Sequence, residues 1–118
     1  MRPHRLRLRA FGPFPGEVEV DLAALAASGL FLLHGETGSG KTTLLDGIGF
    51  ALYGRVPGVR GKTGRLRSDH AAVDVRTEVE LEVTLGGRRW RITRSPAQER
   101  AKARGSGTTT EQARIHLQ

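Results

Sequence analysis

The stretch from Leu30 to Tyr53 constrains this chain more than any other. Its centre, Gly35-Glu36-Thr37-Gly38-Ser39-Gly40-Lys41-Thr42, fits the pattern G-x-x-x-x-G-K-[ST] at every fixed position. Upstream, Leu30-Phe31-Leu32-Leu33 is a short continuous apolar run, as expected of a strand buried on both faces in a parallel sheet. Downstream, Leu44, Leu45, Ile48, Ala51 and Leu52 recur at helical spacing and predict one apolar stripe on a helix starting near Lys41. The loop therefore joins a buried strand to the N-terminus of a helix.

That placement has a chemical consequence. Gly35, Gly38 and Gly40 open backbone conformations closed to residues with a Cβ, so successive N–H groups can converge on phosphate oxygens. The first helical turn adds unpaired donors and the positive end of the helix dipole. Lys41 would bring a point charge to the β- and γ-phosphates, and the Thr42 hydroxyl a ligand to Mg²⁺. The plainer alternative is a glycine-rich turn ahead of an ordinary helix.

At 118 residues the chain is one small domain or part of a larger one. It has no cysteine, which excludes disulfides and cysteine-ligated metal sites. No apolar run approaches the roughly 20 residues that span a bilayer, and the basic N-terminus lacks the apolar core of a signal peptide behind it. These features predict a cytoplasmic protein with no membrane partner. The net charge of +7 favours polyanions, whether nucleotide, nucleic acid or an acidic protein surface, but is equally common on an ordinary solvated face.

Along the chain, Arg5-Leu6-Arg7-Leu8-Arg9-Ala10-Phe11 alternates as a half-buried strand, with Leu6, Leu8 and Ala10 on one face. Gly12-Pro13-Phe14-Pro15-Gly16 breaks it, and Glu17–Asp21 alternates again, suiting an antiparallel partner. Leu22–Gly29 reads as a short helical turn or connector. After the main helix, Gly54–Arg67 reads as a mobile basic loop, with Arg60, Lys62, Arg65 and Arg67 available to phosphates. Ser68-Asp69-His70 contains the residue types of a hydrolase triad, but adjacent positions cannot present that geometry. Val79–Leu85, Gly86-Gly87 and Arg88–Arg94 predict a hairpin, with Glu80 and Glu82 facing arginines across it and Trp90 sharing the core face of Ile92. Ser95–Glu111 reads as a loop, and Ala113–Gln118 as the start of a further strand.

Hydrolysis of a nucleotide also requires an acidic residue at the end of a second buried strand to hold Mg²⁺. Neither Ala71-Ala72-Val73-Asp74 nor Val18-Glu19-Val20-Asp21 fits that role, the first being too short and the second only half buried. The chain reads as the first part of a nucleotide-binding domain.

Several linked motifs resemble the N-terminus of the SbcC family, SMC-like ATPase subunits of the bacterial SbcCD nuclease. They are MRPHRLRLRAFGPFPGEVEVDL, LFLLHGETGSGKTTLLDGIGFALYGRVPG, LRSDHA and the hairpin ending WRITRSPAQERAKARG, in that order across essentially the whole chain. The RecF and RecN families share the loop but fit its flanks less well. The resemblance implies an α/β fold, the N-terminal part of an ABC/SMC-type P-loop NTPase head. Such a head has a mixed sheet, the phosphate-binding loop, one main helix and an antiparallel hairpin. Residues 1–118 would then be a truncated nucleotide-binding lobe.

By the same resemblance, ATP and Mg²⁺ are the cofactors, held by Gly35–Thr42 with Thr43 continuing into the helix, and Arg67 and Ser68 lie near the nucleotide. Gly12 stands where some relatives carry a nucleotide-contacting arginine. The implied partners are an SbcD-like nuclease subunit, double-stranded DNA ends through the parent complex, a C-terminal ATPase lobe and a second head. The family's remaining catalytic motifs, its coiled coils and its hook cysteines would lie beyond Gln118. Two further readings stand beside this one: a stand-alone basic nucleic-acid-binding module whose loop binds only an anion, and a non-functional remnant with an unpaired sheet edge.

Overall fold

The computed structural model describes residues 1–25, 41–56, 66–68, 70–72, 74–101 and 107–118. Two strands open the chain, β1 (Arg2–Phe11) and β2 (Phe14–Asp21), followed by the single-turn helix α1 (Leu22–Leu25) and the main helix α2 (Lys41–Tyr53). Then come β3 (Glu78–Leu85), β4 (Arg88–Ser95), the short strands β5 (Gln98–Ala101) and β6 (Thr108–Glu111), and β7 (Arg114–Leu117). Five of the strands form one sheet in the order β2-β1-β3-β4-β7, and β5 pairs with β6 separately. Every pairing among the described residues is antiparallel. The strand expected at Leu30–Leu33, and with it the parallel part of the sheet, lies outside the described residues.

Alternation explains the two faces of the sheet. Leu6, Leu8, Leu81, Val79, Val83 and Ile92 are buried on one of them, against Phe50 and Ala51 of α2. Each such side chain contributes on the order of 1.5–3 kcal/mol by leaving water. Gly47 lets the helix come this close: a Cβ there would sit 2.6 Å from Leu8 Cδ2. The C-terminal end of α2 is held by Arg94, whose Nε donates to the Ala51 carbonyl at 3.1 Å.

On the opposite face, charge alternates strand by strand. Arg5, Arg7 and Arg9 of β1 stand between Glu17 and Glu19 of β2 and Glu78, Glu80 and Glu82 of β3, with Arg89 and Arg91 of β4 beyond. Glu82 is the most heavily engaged. It accepts from Arg89 at 2.8 Å and Arg91 at 3.4 Å on one side, and from Arg5 on the other. Glu80 accepts from Arg5 at 3.2 Å and Arg7 at 2.8 Å. Thus Glu82 pairs across the hairpin as its sequence suggests, whereas these arginine partners of Glu80 lie on β1, because Thr93 occupies the β4 position opposite it.

Other local expectations divide similarly. The antiparallel β1–β2 pair, the helical turn after Asp21, the Gly86-Gly87 hairpin and a final strand all form. The Asp21 carboxylate explains the helical turn, accepting from the Ala24 N–H at 3.0 Å as an N-cap does. Leu45 departs from the predicted apolar stripe: it is 58% exposed, while Gly47 and Phe50 face the sheet. Ser95–Glu111 is not a plain loop, since β4 runs through Ser95 and β5 and β6 pair from Gln98↔Glu111 to Ala101↔Thr108. Threonine runs suit a strand, and the flanking glycine and charge hide that signal. Of the Gly54–Arg67 segment, residues 57–65 lie outside the described residues, but its ends are anchored, with Val56 buried and Leu66 packed on the core. Trp90 is half-buried against the core, and the Arg88 guanidinium carbon lies 5.5 Å from its ring centroid.

Candidate functional site

Helix α2 begins at Lys41, so its first-turn N–H groups lie at the exit of the glycine-rich loop. That turn carries no acidic side chain, and nothing of its own chemistry cancels the positive end of the dipole. The donor set is that of an anion site and fits a nucleotide phosphate. Gly35, Glu36, Thr37, Gly38, Ser39 and Gly40 lie outside the described residues, as do the side chains of Lys41 and Thr42. Thr43 is the first loop-proximal side chain the structure describes, and it is half-buried.

Thr43 packs against a corner made by the end of β1. Ala10 adopts φ 50° and Gly12 φ 57°, and the β1 pairing shifts register between Arg9 and Phe11. A left-handed alanine costs about 1–2 kcal/mol, which its surroundings must offset. They do so through hydrogen bonds. The Ala10 carbonyl accepts both the Ser68 N–H at 2.8 Å and the Thr77 hydroxyl at 2.9 Å, and the Gly12 N–H donates to the Leu66 carbonyl at 2.9 Å. Glycine at position 12 answers two demands at once: its positive φ, and a contact so close that a Cβ would lie 2.7 Å from Thr43 Cγ2.

The same corner receives Arg67 and Ser68. Phe11 and Arg67 form an isolated antiparallel bridge, which brings residues 66–68 alongside the corner that abuts Thr43. The Arg67 guanidinium turns the other way, donating to the carbonyls of Ala72 and Val75, where it ties the turn that follows. Ser68 is buried, and its hydroxyl accepts the His70 N–H at 3.3 Å. His70 itself is exposed, and Asp69 lies outside the described residues. Thr43, Gly12, Arg67 and Ser68 thus share one corner, with Arg67 contributing its backbone rather than a free cation.

Two residues in this corner carry no motif in the sequence. Thr77 is fully buried, and besides bonding Ala10 its backbone is gripped by Gln98: the Thr77 N–H donates to Gln98 Oε1 at 2.8 Å, and Gln98 Nε2 donates to the Thr77 carbonyl at 3.1 Å. Only the bland strand-edge position of Thr77, before the alternation of β3, and a lone glutamine after a proline mark them in the sequence. Neither would have been found there.

Among the titratable groups of the described residues, the clear displacements, at Glu82 and Arg5, lie on the charged sheet face, away from this corner. Hydrogen bonding from Arg89 holds the Glu82 carboxyl below its ordinary range; burial opposes this, and the charges of Arg5, Arg89 and Arg91 reinforce it. For Arg5, burial disfavours the cation, but Glu82, Glu19 and Glu80 together outweigh it and raise its pKa.

The model of a family described as an AAA domain matches residues 5–116. The SbcC subunit of the SbcCD nuclease from Vibrio cholerae serotype O1 is 48% identical over 109 residues, 92% of this chain and 11% of that protein. The protein of the same name from Lactococcus lactis subsp. lactis is 39% identical over 117 residues, 99% of this chain and 11% of its own length. That of Treponema pallidum is 46% identical over 96 residues, covering 80% and 9% respectively. The chain therefore spans about a tenth of the length of these curated relatives.

Proposed function

The chain belongs to the AAA domain family, and on that basis we propose that it binds Mg-ATP through Gly35–Thr42. The observation that carries this reading is the start of α2 at Lys41, with no acidic side chain in its first turn, on a helix fixed to the sheet through Gly47, Phe50 and Ala51. In this role the backbone of residues 35–40 and the first turn of α2 hold the phosphates. The Lys41 ammonium neutralises the β- and γ-phosphate oxygens, and the Thr42 hydroxyl ligates Mg²⁺. Mg²⁺ held there would offset phosphate charge. Thr43, Arg67 and Ser68 support the start of α2: Thr43 packs on Gly12, and the 66–68 backbone secures that corner.

The relatives named as parts of the SbcCD nuclease extend the proposal to a larger assembly. In it this lobe serves an ATPase that powers a double-strand DNA nuclease. Turnover depends on a complementary lobe and a second head, and the DNA ends are cut by an SbcD-like partner.

Calorimetric titration of Mg-ATP into the 118-residue chain, beside Lys41→Ala, tests the core of this. Binding by the wild type and its loss in the variant is the expected result. A folded wild type that takes up no nucleotide, or a variant that binds as well as the wild type, overturns it. A Lys41→Ala effect confined to salt-sensitive DNA affinity would instead favour a nucleic-acid module whose loop binds only an anion.

A further inference from the structure

We propose that Thr77 and Gln98 are positioning residues for the start of α2, coupling the β5–β6 pair to its first turn through the Ala10–Gly12 corner. The proposal rests on the nucleotide-binding reading above and adds residues and a coupling to it. A continuous set of contacts carries it. The Gln98 side chain closes a two-way clamp on the Thr77 backbone, at 2.8 and 3.1 Å, from the first position of β5. The Thr77 hydroxyl fixes the carbonyl of Ala10 at 2.9 Å. Two residues on, Gly12 stands so close to Thr43 that no Cβ fits between them. Thr43 directly follows Lys41 and Thr42.

Every member of this chain is constrained. Thr77 and Gln98 are buried; the Gln98 amide pairs with the Thr77 backbone, and the Thr77 hydroxyl with the Ala10 carbonyl. A buried amide and a buried hydroxyl left without these partners would be costly, so the arrangement holds as a unit or not at all. Ala10 sits in a conformation that alanine avoids, so it keeps that geometry only while its carbonyl is held. A corner held in this way has an alternative to relax into. Loosening the clamp leaves the Ala10 carbonyl to the Ser68 N–H alone, which weakens the hold on its left-handed φ and on the approach of Gly12 to Thr43. Nucleotide held at the first turn of α2 favours the docked corner, and by linkage the clamp favours nucleotide to the same degree. Strand pairing of β5 with β6 starts at Gln98 itself, so the pair and the clamp form together.

The test combines variants with a probe of the wild type. Thr77→Val removes the hydroxyl that holds Ala10, whereas Thr77→Ser keeps it, and Gln98→Ala removes the clamp. In titrations of the 118-residue chain with Mg-ATP, Thr77→Val and Gln98→Ala should bind at least about 5-fold more weakly than the wild type, and Thr77→Ser within about 2-fold of it. Circular dichroism identifies any variant that fails to fold. Independently of the variants, saturating Mg-ATP should slow amide exchange at Thr77 in the wild type about 5-fold more than at Arg91. The Arg91 N–H donates to the Gln118 carbonyl on the far β4–β7 edge. The difference should vanish in Lys41→Ala. Folded variants that bind like the wild type, or equal slowing at Thr77 and Arg91, overturn the coupling and leave nucleotide binding standing. A wild type that binds no Mg-ATP overturns the nucleotide reading, and the coupling with it.

Discussion

Glu82 shows how much a single side chain can organise on the face of the sheet turned away from the helix. It is 8% exposed and meets three guanidiniums, Arg5 from one neighbouring strand and Arg89 and Arg91 from the other. Removing its charge leaves those cations facing one another across a nearly dry carboxamide. Glu82→Gln should therefore destabilise the fold by about 1–3 kcal/mol at neutral pH, less than for a fully buried pair because the arginines stay half in water. The sign of the pH dependence follows from the direction of the shift. The folded-state pKa of Glu82 is depressed, so its contribution is complete above the unfolded value, near about 4.3. It is lost as pH falls through the lower folded value. Urea midpoints should show a constant gap between wild type and Glu82→Gln from about pH 6 to 8 and a narrowing gap below about pH 4. A gap that stays open in acid would mean that the carboxylate charge is not what the variant removes.

At the scale of elements, helix α2 shows what hydrophobic spacing does and does not reveal. The run from Leu44 to Leu52 correctly implies a helix with one apolar face, because its period fits 3.6 residues. Yet the face that meets the sheet is centred on Gly47, Phe50 and Ala51, and Leu45 points to water. A glycine carries no hydrophobic signal, so a stripe built on close backbone approach is invisible to a pattern built on large side chains. The contrast is measurable. Gly47→Val drives a branched side chain into Leu8, which is fully buried and has nowhere to move. It should cost about 1–3 kcal/mol in spite of glycine's poor helix propensity. Leu45→Ala, at the position the pattern would rank as core, should stay within about 0.5 kcal/mol. Chemical denaturation of both variants checks this, and the reverse ranking would contradict the observed docking of α2. The candidate site divides in the same way. Its glycine-lysine-threonine motif is legible because phosphate binding demands those residue types at that spacing, whereas Thr77 and Gln98 meet only in three dimensions.

Across the whole molecule, charge and apolar surface are distributed unequally. The ion-pair face balances Arg5, Arg7, Arg9, Arg89 and Arg91 against five glutamates. The excess of positive charge in a chain of net +7 therefore lies elsewhere. Apolar surface collects instead at the β7 end of the sheet. There Ile115 and Leu117 are 51% and 54% exposed, beside a cleft of about 280 Å³ that they line with Ala51, Leu52, Leu85 and Trp90. β7 pairs with β4 on one side and closes the described sheet on the other. A short strand with two exposed aliphatic residues at a sheet edge is a template for pairing with another chain, and lysine on such an edge opposes it. Replacing both residues, Ile115→Lys with Leu117→Lys, should raise the concentration at which the chain stays monomeric in light scattering. The cost in stability should be modest, because neither side chain belongs to the buried core. Unchanged self-association would direct attention to other exposed apolar side chains, among the described residues Met1, Leu45 and Tyr53. Reduced self-association with Mg-ATP affinity intact would separate the edge from the Ala10–Gly12 corner, as expected if the β7 end of the sheet and the start of α2 act independently.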